Sequence, residues 1–121
     1  MAQDTLVDDE LSAGREFVQA LDKAGILVVG ALWFYHTDVD RWKMLIATPQ
    51  AATGTRDLYA AAIRLKPKLD LSRVEFVPPE SPLIRALKGS IRIDGLGGVR
   101  MSQNMLNGIY VDDAYIYRLA A

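Results

Sequence analysis

Along the chain the spacing of apolar residues changes period several times, and each change marks an element. Val7, Leu11, Gly14, Val18 and Leu21 recur at intervals of four and three, with Leu6 and Phe17 widening the stripe, so the first segment is predicted as an amphipathic helix. Gly14 lies on that apolar stripe, which points to close packing against a neighbour, and Gly25 after Lys23 is the stop. Residues 26–35, Ile-Leu-Val-Val-Gly-Ala-Leu-Trp-Phe-Tyr, are apolar at both alternating positions and rich in β-branched and aromatic types. That pattern predicts a central strand buried on both faces.

Thr37-Asp38-Val39-Asp40-Arg41 has turn composition, and residues 42–48 return as a second strand. A loop over 49–54 leads to a helix with Thr55 as N-cap, ended by Pro67. A short strand over 74–77 stops at Pro78-Pro79, and Ser81-Pro82 opens a third helix that turns Leu83, Ile84, Leu87 and Ile91 inward. Asn107-Gly108 is a hairpin turn between two last strands, with a bulge expected near Asp112-Asp113. The expected class is α+β: one domain over residues 1–121, a mixed sheet of about five strands with three helices, in the order α-β-β-α-β-α-β-β. Three helices are few for two sheet faces, so a second copy of the chain is the expected cover for one of them.

Composition narrows the class of function. The chain has 121 residues, half of them hydrophobic, and no cysteine, which excludes disulfides, thiolate metal sites and cysteine nucleophiles. The polar start Met1-Ala2-Gln3-Asp4 and the short apolar run predict neither a signal peptide nor a membrane span, and the expected location is cytoplasmic. Charge is uneven: residues 1–25 hold six acidic and two basic groups, residues 64–100 eight basic and four acidic ones. Such a dipole steers a partner or a head-to-tail contact, although two separately solvated halves carry the same signature.

The candidate chemistry is thin. His36, Asp38 and Asp40, with Asp113 as a fourth group, are the residues a metal-dependent hydrolase or nuclease would draw on. Their spacing matches no metal signature, and the aspartates equally suit turn hydrogen bonds, so no metal and no cofactor is expected. Asp112-Asp113 are neighbours that a regular strand sends to opposite faces. Gly95-Leu96-Gly97-Gly98 lacks the last glycine of a dinucleotide fingerprint, since Arg100 stands there. Arg85, Lys88 and Arg92 sit at helical spacing and with Arg100 form an anion-binding candidate; without interleaved aromatics, a nucleic-acid partner is not expected. Trp33, Tyr35 and Trp42 are interface candidates if they face outward and core residues if they do not.

Residues 42–49 (Trp-Lys-Met-Leu-Ile-Ala-Thr-Pro) taken with 107–118 (Asn-Gly-Ile-Tyr-Val-Asp-Asp-Ala-Tyr-Ile-Tyr-Arg) resemble short bacterial proteins of uncharacterised function. The resemblance implies a bacterial, cytoplasmic protein and carries over no activity, cofactor or catalytic residue. The expected function is therefore a small non-enzymatic interaction domain, self-associating through a sheet face or the aromatic hairpin, with a protein partner possible. The alternative is the metal-dependent hydrolase or nuclease.

Overall fold

The computed structural model describes residues 6–120. In chain order the elements are α1 (Asp8–Lys23), β1 (Gly30–His36), β2 (Arg41–Ala47), α2 (Arg56–Leu65), β3 (Val74–Val77), α3 (Pro82–Lys88), β4 (Val99–Leu106) and β5 (Ile109–Leu119). The five strands form one mixed sheet in the order β3-β2-β1-β5-β4, an α+β arrangement with three helices and the expected element order. β1 is central. Hairpin neighbours pair antiparallel, and the crossover through α2 lays β3 parallel to β2. Two short 3-10 turns, 49–53 and 71–73, fill segments that read as loops; the Thr48 hydroxyl accepts from the Gln50 N–H, and the Asp70 carboxylate from the Ser72 N–H.

Alternation along β1 divides the core in two. Ala31, Trp33 and Tyr35 face α1 and α2, meeting Phe17, Val18 and Leu21 of one and Leu58 and Ala62 of the other. Leu32 and Phe34 face the opposite way, against Ile84 and Leu87 of α3, with Ile91 and Ile93 of the following loop completing the cover. Both faces of β1 are thus shielded within one chain, and the second copy that the sequence seemed to require as a lid is not needed for that purpose.

Several details differ from the sequence reading. β1 begins at Gly30, although Val29 already exchanges backbone hydrogen bonds with Ala47 and Ala120. Val7 is the N-cap of α1 and is exposed, because the buried stripe is centred on Phe17. Thr55 and Ser81 stand where their helices begin but make no side-chain cap bond, and α3 ends at Lys88, before Ile91. Asn107 and Gly108 both take positive φ (47° and 83°), the geometry a two-residue hairpin turn requires.

The strand β5 has two irregularities. Val111 and Ala114 are buried in the same cluster although three residues apart, so alternation breaks at Asp112-Asp113 as expected; Gln103, with φ 50°, lies across from the break and the ladder skips it. A second bulge was not foreseen. Ala31 pairs with Arg118 and Leu32 with Ile116, which leaves Tyr117 as the extra residue. The bulge lets two consecutive side chains reach the same helix. The Tyr117 hydroxyl donates to the Leu11 carbonyl at 2.7 Å, while Arg118 makes two hydrogen bonds of 2.9 Å to Asp22, fastening both ends of α1.

Gly14 is where α1 touches the sheet most closely. A Cβ there would lie 2.5 Å from the Tyr117 hydroxyl and 2.8 Å from Trp33 Nε1. Helix propensity alone makes Gly14→Ala stabilising by about 1 kcal/mol. Overpacking against two hydrogen-bonded aromatic side chains costs about 3 kcal/mol, and it wins. The expected outcome is a net loss of roughly 2 kcal/mol in chemical denaturation; a gain in stability would show that the helix and sheet do not meet this closely.

Candidate functional site

The residues that the sequence offered for catalysis do not converge. His36 shares the α3 side of the sheet with Phe34, packing edge to face on its ring at 4.9 Å. Its Nε2 is buried with no hydrogen-bond partner among the described residues. Tyr35 and Asp40 lie toward the other face, where the Tyr35 hydroxyl donates to the Asp40 carboxylate and a positive φ (52°) shapes the turn. Asp38 is exposed at the tip. Asp113 is held by Arg100 through two hydrogen bonds of 2.7 Å. Among the described residues no group of three or more histidine, aspartate or glutamate side chains is placed to hold a metal.

The anion candidates are likewise divided. Arg85 and Lys88 belong to α3 on one side of the sheet, and Arg92 lies beyond the helix in an exposed pair with Asp94. Arg100 reaches toward the opposite side, its guanidinium 5.5 Å from the centre of the Trp42 ring. The Gly95–Gly98 loop runs over Tyr115, whose ring occupies the space a side chain at Gly98 would need, and Gly97 N–H bonds to the Tyr117 carbonyl. Its glycines serve packing. Trp33, Tyr35 and Trp42 are all buried, at 1%, 5% and 1% exposure, so they are core and not an interface.

What the tertiary structure does assemble is a cleft of about 470 Å³ between α1 and the segment leading into β3. One wall is a stripe of α1: Asp9, Ser12, Ala13 and Glu16 recur at three, one and three residues and therefore share a face. The other wall is Lys68, Leu69 and Asp70, and Trp33 closes the floor with Arg73 beside it. The floor is pinned. Trp33 Nε1 donates to the Tyr117 hydroxyl at 3.0 Å, and the Arg73 guanidinium lies 4.9 Å from the indole centre. Arg73 is itself fixed by an ion pair with Glu10 and a hydrogen bond to the Trp42 carbonyl.

The electrostatics of the cleft are acidic. Glu10 and Arg73 neutralise each other at the floor. At the mouth, Lys68 and Glu16 approach at 3.8 Å with side chains 78% and 56% exposed, a pair contributing at most about 1 kcal/mol. Asp9 has no ion pair among the described residues. The Ser72 backbone N–H holds the Asp70 carboxyl below its ordinary value, so it stays charged.

None of these cleft residues was singled out from the sequence. The spacing of Asp9, Ser12 and Glu16 is readable along a helix, but nothing local says which helical face meets residues 68–73. The chain matches no protein-family model, no curated protein and no solved structure.

Burial pushes the Tyr117 phenol well above its usual value, with the Trp33 N–H acting in the opposite direction. The folded state therefore holds this proton more firmly than the unfolded chain. Its contribution is complete below about pH 10, the ordinary tyrosine value, and is lost as pH rises through the higher folded value. Tyr117→Phe is expected to cost roughly 1–3 kcal/mol at neutral pH, since Trp33 Nε1 loses its acceptor. Denaturation measured from pH 8 to 11 should show wild-type stability falling more steeply than the variant's; parallel curves would contradict the assignment.

Proposed function

We propose that this chain is a non-catalytic binding module and that the cleft between α1 and residues 68–73 is its recognition site. The observation carrying this reading is the cleft itself: about 470 Å³, within the range of small-ligand sites, with an immobilised aromatic floor and charged walls. The dispersal of His36, Asp38, Asp40 and Asp113 supports binding over hydrolysis, because acid–base chemistry needs its groups within hydrogen-bond reach of one proton. Pinning of Trp33 by Tyr117 and Arg73 supports it further, since a preformed site loses little entropy on occupation.

Ser12 is exposed on the α1 wall, so Ser12→Trp fills the cleft without entering the core. A thermal-shift screen of a broad metabolite set is expected to find compounds that stabilise the wild type and leave Ser12→Trp unmoved. The variant's own stability should stay within about 0.5 kcal/mol of wild type. Compounds acting equally on both proteins, or none acting on either, would overturn the cleft as the site.

A second reading keeps self-association, at a different surface. β4 is an edge strand, and on its hairpin with β5 the cross-strand partners Met105 and Tyr110 are 65% and 50% exposed, with Val99 exposed on the same strand. An apolar pair beside an open strand edge suits pairing with another copy. Light scattering after size exclusion is expected to give a dimer that Met105→Lys with Tyr110→Lys converts to monomer. A wild type that stays monomeric at millimolar concentration would remove this reading.

A further inference from the structure

We infer that the cleft takes a linear aliphatic polyamine, an alkyl chain bearing an ammonium group at each end. The inference rests on the cleft being the recognition site and adds what it recognises. Asp9 and Glu16 stand seven residues apart on one wall, which at the helical rise separates them by about 10 Å. Between them the surface is apolar, formed by Ala13 with Trp33 beneath and Leu69 opposite. Two negative stations joined by an apolar strip match a chain with charged ends and a methylene middle.

A metal ion or an inorganic cation has no use for that strip. An anion would meet a wall of carboxylates, with Asp70 adding a third negative group across the cleft. The one cation at the mouth, Lys68, is a small obstacle: its 3.8 Å contact with Glu16 is solvated and readily exchanged, so an incoming ammonium takes its place at that carboxylate. Arg73 remains where it is, on the indole and against Glu10, and keeps the floor from adding to the negative charge. The acidic bias of residues 1–25 places the same field over the approach to the cleft, drawing polycations toward it.

The test is isothermal titration of the full chain with spermidine, with 1,8-octanediol as the uncharged analogue and magnesium chloride as the charge-only control. Spermidine is expected to bind the wild type, to weaken as salt rises, and to fail with Ser12→Trp. Asp9→Asn and Glu16→Gln should each weaken it roughly two- to fivefold, the range of one exposed ion pair. Both positions are exposed, and circular dichroism confirms that the variants fold. Magnesium competing as effectively as spermidine, or carboxamide variants binding as wild type does, would overturn the polyamine assignment. If octanediol or an anionic metabolite binds the wild type and not Ser12→Trp, the cleft stands and the cation preference falls. If no compound distinguishes wild type from Ser12→Trp, both fall together.

Discussion

A tyrosine hydroxyl buried between a helix and a sheet has to find both an acceptor and a donor, or burial costs more than the ring's packing returns. Tyr117 finds both: the Leu11 carbonyl of α1 accepts its proton and Trp33 Nε1 of β1 donates to it. The bond passes over Gly14, where any side chain would collide with it. It depends on the bulge in β5, which turns Tyr117 and Arg118 toward the same helix. Remove the hydroxyl and the indole is left with an unsatisfied N–H in the core, while α1 loses the contact that sets its height above the sheet.

That height decides the cleft. Were α1 packed closer to residues 68–73, its wall of Asp9, Ser12, Ala13 and Glu16 would meet Leu69 directly and leave no room for a ligand. The Glu10–Arg73 pair adds a strut from the other side, and because the guanidinium also covers the indole, the floor is fixed in position before anything binds. Preorganisation of this kind favours recognition, and the same rigidity explains why the aromatic trio of Trp33, Tyr35 and Trp42 is unsuited to be a surface anchor: all three are used up in holding the core.

The charges follow the same logic. Arg100, Arg73 and Arg15 each sit over an aromatic ring of the α1 face, at 5.5, 4.9 and 5.6 Å, and Arg100 is further locked to Asp113. Groups that looked in the sequence like a basic patch or an acidic catalyst are thereby spent on closing the sheet's edges. The carboxylates left over gather where α1 overhangs the approach to β3.

The chain's own order of residues settled which segments are helix and which are strand, because a period of 3.6 or 2 is a local property: residues 7–23, the doubly apolar run into Tyr35, and Asn107-Gly108 each announced their element. It also marked Gly14 as a point of close approach. Three things lay beyond it. Both faces of β1 are covered by one chain, since α3 and the loop after it lie on the side opposite α1 and α2. His36 and its aspartates are parted by strand alternation and a turn, and the cleft is made by residues about sixty positions apart. Local periodicity fixes which way a side chain points from its own element; which element it then meets depends on how helices settle on a twisted, bulged sheet, and only the folded chain decides that.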